Sequence, residues 1–174
     1  KGRRLDEYAD SPASMHERLR VFERVCETVA FAHAQGVIHR DLKPQNVMVG
    51  EFGEVLVLDW GIAKVVREPM SDGSSIASDL LGSNSDFRQT AHGTILGTPA
   101  YMPPEQSRGD IERIDERSDV FALGGVLYFL LTGKPPRTAS GGIAANELVL
   151  VPLRQLNRDI PRRLESICMK ALSA

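Results

Sequence analysis

The chain has 174 residues, 42% hydrophobic and 25% charged, with a formal net charge of −2, the profile of one ordinary globular unit able to bury a core. Basic and acidic residues are interspersed, which argues against an electrostatic nucleic-acid binder or an anionic-membrane binder. The two cysteines, Cys26 and Cys168, make no disulfide framework and read as buried thiols of a reducing, cytoplasmic setting.

Residues 1–4, Lys-Gly-Arg-Arg, are not followed by an apolar region, so this is no signal peptide, though an anchor elsewhere in a longer parent protein is compatible with it. From His16 to His33 the positions Leu19, Phe22, Cys26, Val29 and His33 step by 3 or 4 and predict an amphipathic helix, closed by Gln35-Gly36. Val47-Met48-Val49 and Val55 to Leu58, separated by Gly50-Glu51-Phe52-Gly53, predict a small β-hairpin. Residues 67–93 turn to Ser, Asp, Gly and Asn and predict a long mobile loop. Ser118 to Thr132 is apolar nearly all round, as expected of a central buried helix, with Ser118 as N-cap and Gly133 ahead of Pro135-Pro136 as its end. Its longest apolar stretch, Val120 to Leu131, is 12 residues, against about 20 for a bilayer span. Pro161 to Ala171 predicts a last short helix with Leu164, Ile167 and Cys168 on one face.

Three segments carry chemistry, in this order: His39-Arg40-Asp41-Leu42-Lys43-Pro44-Gln45-Asn46; Asp59-Trp60-Gly61; and Gly97-Thr98-Pro99-Ala100-Tyr101-Met102-Pro103-Pro104-Glu105. Phosphoryl transfer needs a carboxylate for the attacking hydroxyl, oxygen ligands for Mg²⁺ and a cation facing the phosphate. Asp41, Asn46, Asp59 and Lys43 have those chemical identities, and the hairpin between Asn46 and Asp59 brings two distant oxygen ligands side by side.

Residues 39–46 resemble the kinase catalytic loop H-R-D-L-x-x-x-N, and residues 59–61 the D-F-G motif with Trp for Phe. Residues 97–105 resemble the end of an activation segment, with Pro-Pro-Glu in place of Ala-Pro-Glu. Ser118 to Gly124 resembles the start of the family's central helix, and Gly2 to Tyr8 the segment after the interlobe hinge. The chain is thus similar to the eukaryotic-type (Hanks-type) serine/threonine protein kinases, especially bacterial ones. Lys43-Pro44 and Gly97-Thr98-Pro99 point away from tyrosine kinases, and Pro-Pro-Glu away from aminoglycoside-type phosphotransferases.

The resemblance implies an α+β, mainly α-helical fold, a protein-kinase-like C-terminal lobe with a small β-hairpin. Residues 1–174 would be a partial catalytic domain, with an activation segment of 47 residues, 59–105. ATP and Mg²⁺ are the implied cofactors, and serine or threonine hydroxyls of proteins the implied substrates. Asp41 resembles the catalytic base and Lys43 the γ-phosphate contact. Asn46 and Asp59 resemble the metal ligands, Met48 packs under the adenine, and Thr98 shapes the substrate site near Asp41 and Lys43. His39 is read as a hydrogen-bonded core histidine, and Asp119 as an acceptor for the catalytic-loop backbone. Arg40 implies control by activation-loop phosphorylation, with Thr90 and Thr94 as candidate phosphosites. Trp60 and Gly61 complete the second motif, while His16 and His92 carry no functional reading. Glu105 pairs, in the family, with an arginine near the domain's end.

A glycine-rich phosphate loop, the strand lysine that pairs with the α/β-phosphates and its glutamate have no match in the 174 residues, so the expectation is a fragment that needs a separate N-lobe. Alone it is expected to have negligible kinase activity and to expose apolar surface. The rival reading is a non-catalytic pseudokinase or signalling scaffold on the same fold.

Overall fold

The computed structural model describes residues 2–60, 64–65, 100–139 and 148–173; the expected loop at 67–93 lies outside them. A two-residue strand, β1 (Arg3–Arg4), runs into a short helix, α1 (Leu5–Ala9). Helix α2 (Met15–Ala34) opens on a capping box: Glu17 N–H donates to Ser14 Oγ, and Ser14 N–H donates to Glu17 Oε2. Two backbone N–H groups at the helix start are thereby satisfied. Gly36, at φ +75°, turns the chain away after the helix, a conformation a Cβ would oppose.

Next come β2 (Val37–Ile38), a 3₁₀ turn (Pro44–Asn46), β3 (Val47–Val49), β4 (Val55–Val57) and β5 (Lys64–Val65). After them stand α3 (Pro104–Ser107), a 3₁₀ turn at Ile111–Arg113, α4 (Glu116–Thr132), β6 (Arg137–Ala139), β7 (Leu148–Leu150), α5 (Leu153–Leu156) and α6 (Arg162–Ala171). The expected hairpin is β3–β4, antiparallel with Val47 opposite Val57 and Val49 opposite Val55. Strand β1 extends it to three strands, Arg3 facing Val49 and Arg4 facing Met48. Two further antiparallel pairs, β2–β5 and β6–β7, had no sequence signal.

Helix α4 separates two apolar clusters. Ala122, Val126 and Leu130, four residues apart, join Leu5, Val21, Val25, Val29, Leu42 and the hairpin valines. Phe121, Leu127, Tyr128 and Leu131 join Leu153, Ile160, Cys168 and Leu172. A helix with both sides covered needs apolar residues on both. Close approach to α6 requires Gly124: a Cβ there would lie 2.8 Å from Ala171 Cβ and 3.1 Å from Leu172 Cγ.

Several local expectations are corrected. The buried line of α2 is Val21, Val25 and Val29, while Phe22 and Leu19 only flank the core, because the i, i+4 row rather than the 3-4 row faces α4. The N-cap of α4 is Asp115, whose side chain accepts from Arg117 N–H; Ser118 lies inside the helix. Val120 and Ile167, expected in the core, are 46% and 61% exposed, and Cys26 is only half-buried.

Candidate active site

Strand β2 delivers the chain into the segment 39–46. His39, Leu42 and Pro44 are buried and anchor the loop, and Asp41 and Lys43, which alternate with Leu42 and Pro44, are only partly buried. Lys43 Nζ donates to Asp41 Oδ2 at 2.6 Å, with both side chains about one-fifth exposed. Asn46 Nδ2 donates to the Asp41 carbonyl at 2.8 Å and to the same Oδ2 at 3.1 Å. Among the described residues no bond occupies Asp41 Oδ1 or Asn46 Oδ1. A cation and an amide therefore converge on one carboxylate oxygen and leave the other open as an acceptor.

Asp59 is brought beside this cluster by the backbone: Leu58 N–H donates to the Asn46 carbonyl at 2.8 Å. Asp59 is exposed and sits at φ +63°, one of the two non-glycine residues in the left-handed region among those described. The other is Arg40, at φ +71°. Such conformations persist only where neighbours hold them; Arg40 directly precedes Asp41, and Asp59 carries a carboxylate of its own.

What holds them is a set of buried polar groups. His39 is fully buried; its Nε2 donates to the Leu58 carbonyl at 2.9 Å, and its Nδ1 accepts from Asp41 N–H at 3.2 Å. A carbonyl only accepts, so the neutral ring carries its proton on Nε2. Asp119, 1% exposed, accepts His39 N–H at Oδ2 (2.8 Å) and Arg40 N–H at Oδ1 (2.9 Å). It lies in the first turn of α4, where the helix dipole favours negative charge. Trp60 Nε1 donates to the Val57 carbonyl at 2.9 Å, and its ring lies 4.6 Å from that of His39 at 54°. The larger aromatic thus finds the partner its N–H needs.

Glu105 is met by Ser118, whose Oγ donates to Oε1 at 2.6 Å. That bond explains why Ser118 is not a cap and keeps the carboxylate from being orphaned. Met48 is half-buried on β3. Gly61, Thr90, Thr94 and Thr98 lie outside the described residues. Two residues that sequence reasoning missed are His33 and Ser118, whose partners come from distant segments.

Residues 2–168 match the protein kinase domain family. The chain belongs to that family. Among its relatives, the serine/threonine-protein kinase PknD of Protochlamydia amoebophila is 37% identical over 166 residues, covering 89% of this chain and 16% of the relative. PknD of Chlamydia trachomatis is 35% identical over 178 residues, covering 97% of this chain and 19% of its own length. PknD of Chlamydia felis is 39% identical over 160 residues, covering 90% and 17%. The chain thus spans 16–19% of the length of these serine/threonine kinases.

A groove of about 570 Å³ beside Glu105, Arg113, Phe121 and Lys170 lies on the other side of α4 from residues 39–46. The crevice between Arg40–Leu42 and Tyr101–Pro103 has room for only about 10 Å³. Enclosed ligand sites run to roughly 300–1,000 Å³, so this crevice is not one. No helix among the described residues is long and apolar enough to cross a membrane.

Proposed function

We propose that residues 1–174 are the C-terminal, post-hinge lobe of a protein serine/threonine kinase, with residues 59–105 as its activation segment. The whole protein transfers the γ-phosphate of ATP to serine and threonine hydroxyls of other proteins and of itself. The observation that carries this reading is the convergence of Lys43 and Asn46 on one oxygen of Asp41 while the second oxygen stays open among the described residues. Oδ1 is the proton acceptor: the substrate hydroxyl oxygen bonds to the γ-phosphorus, the bond to the β,γ-bridging oxygen breaks, and the hydroxyl proton passes to Asp41 as ADP leaves. Lys43 exchanges its carboxylate partner for the phosphate when nucleotide enters, a short move for a flexible ammonium.

Asn46 and Asp59 fit a divalent cation. Both offer oxygen, the donor that Mg²⁺ prefers; Asn46 commits only its NH₂ to Asp41, and the Leu58–Asn46 bond keeps the two residues adjacent. When bound, the ion supplies charge neutralisation for the phosphates. Met48 supports the adenine and Thr98 the substrate side. Phosphate on Thr90 or Thr94 would form charge-assisted bonds near Arg40 and order the activation segment.

The exposed Leu56 (62%) and Leu58 (42%) on the hairpin support a covering N-lobe, and the sequence of this chain offers no phosphate loop to replace one. Residues 1–174 alone are therefore expected not to turn over ATP. The test is the metal dependence of the longer protein. Asp59→Asn and Asn46→Leu are expected to abolish Mg²⁺-dependent nucleotide binding and transfer together. Transfer that survives both substitutions would reject these ligands. Metal-dependent ATP binding by the wild type without any transfer would favour the scaffold reading.

A further inference from the structure

Arg137 is the first residue of β6, and its backbone stands opposite Leu150 of β7. Leu150 packs against the apolar cluster that contains Phe121, so the strand is anchored on α4. The Arg137 guanidinium carbon lies 4.7 Å from the centroid of the Phe121 ring, a contact that holds the cation over the aromatic without neutralising it. The side chain is half-buried, and burial pulls its pKa below the ordinary arginine value. Among the described residues no carboxylate meets it: the ion-pair contacts there are Arg4–Asp6, His33–Asp119, Lys43–Asp41 and Arg117–Asp115. The guanidinium has thus lost part of its hydration without gaining a counter-charge, and the ring offsets only part of that loss.

Its place relative to Asp41 follows from α4, where Phe121, Ala122 and Gly125 occupy adjoining positions of the helix surface. Ala122 lines the crevice that Arg40–Leu42 form with Tyr101–Pro103. A Cβ on Gly125 would meet Tyr101 Cδ1 at 2.8 Å and Pro136 Cγ at 3.4 Å, so Tyr101 and Pro136 converge on one point of the helix. Arg137 follows Pro136 directly. A chain of packed neighbours therefore leads from Asp41 over Tyr101 and Pro136 to a fixed cation. A polypeptide with its hydroxyl at Asp41 can reach that cation with a side chain further along, and a cation already held in place costs little ordering to engage.

We propose that Arg137 is a specificity-determining residue, whose guanidinium takes the carboxylate of an acidic side chain carried by the protein substrate near its accepting serine or threonine. The fork of N–H donors suits a carboxylate through two parallel bonds. The role in substrate choice rests on the kinase function proposed above; the binding of a carboxylate does not.

The test uses the longer, N-lobe-containing protein. Serine peptides carry one glutamate, or one glutamine, at each of about five positions on either side of the serine, a span of roughly 16 Å each way in extended chain. With the wild type, one or two neighbouring positions are expected to favour glutamate in kcat/KM by about fivefold, the upper end for an ion pair that keeps some exposure. Arg137→Met keeps a long side chain over Phe121 and is expected to bring that ratio to about one. Arg137→Lys, a cation without the fork, is expected to retain part of it. The absence of any such position, or a preference that survives Arg137→Met, would overturn the proposal.

Should the methionine variant not fold, or the wild type transfer no phosphate, the wild-type 174-residue chain decides. Its Arg137 Nε–Hε resonance is expected to shift on addition of the glutamate peptides and not of their glutamine counterparts. An unmoved resonance would overturn the proposal, whereas absent transfer alone would sink the kinase function and leave Arg137 to be judged by this result.

Discussion

Asp119→Asn isolates the buried support of the loop at residues 39–46. The substitution keeps the shape but replaces one acceptor oxygen by an NH₂ donor. With the amide oxygen in the Oδ2 place, the bonds from His33 and His39 survive and the NH₂ meets Arg40 N–H, donor against donor. The opposite placement sets the NH₂ against two donors and is worse. The better arrangement thus leaves one buried backbone N–H and one amide N–H unpaired in a site 1% exposed. At roughly 1–3 kcal/mol for each of the two orphaned donors, the loss is about 2–6 kcal/mol. With a urea dependence of about 2 kcal/mol/M, the unfolding midpoint followed by circular dichroism is expected to fall by about 1–3 M. Asp115→Asn is the control: its carboxylate is an ordinary helix cap on a half-exposed residue, and Asn caps as well as Asp, so its midpoint is expected to move by about 0.2 M at most. An Asp119→Asn midpoint no lower than that of the control would refute the reasoning.

Other consequences follow from single contacts. Gly124→Ala gains about 1 kcal/mol of helix propensity but sets a methyl 2.8 Å from Ala171 Cβ, an overpacking of about 1–3 kcal/mol; a lower Tm is expected, and a higher one would contradict the packing. Arg18 donates to three backbone carbonyls, of Ser11, Ala13 and Leu130, so Arg18→Met is expected to lose about 2–3 kcal/mol in urea unfolding. Arg18→Lys, lacking the fork, is expected to recover less than half of it. Burial raises the Cys26 thiol from 9.0 to about 11 and Cys168 to about 12. Their protonated forms therefore contribute stability fully below pH 9, and it is lost as pH rises toward 11–12. Iodoacetamide at pH 8 is expected to spare Cys168 in the folded chain and to label it on unfolding.

What could be read from the residues was what is local. The loop 39–46, the hairpin and the helices at 16–33, 118–132 and 161–171 are each set by a few neighbouring residues, and they stand within a few positions of where they were expected. Polar partnerships drawn from far apart were not legible. Ser118 looked like a cap because serine before an apolar run often is one, yet its hydroxyl is taken by Glu105, and Asp115 caps instead. His33 fell in an apolar stripe by spacing alone, and nothing in that spacing points to Asp119. Strand β1 was invisible because two arginines carry no β signal; it forms because β3 offers them a free edge. The buried line of α2 was misplaced by one residue since both rows contain apolar side chains, and only the position of α4 decides between them.

The most direct test of the account is transfer of label from γ-³²P-ATP by the longer protein that contains these residues, wild type against Asp41→Asn, followed by phosphoamino-acid analysis. The account predicts phosphoserine and phosphothreonine with the wild type, and a loss of at least about 10²-fold with Asp41→Asn, the scale of a missing general base. Equal transfer by the two proteins would contradict the role given to Asp41. Label appearing on tyrosine alone, or no transfer while Mg·ATP is bound, would contradict the serine/threonine kinase reading itself.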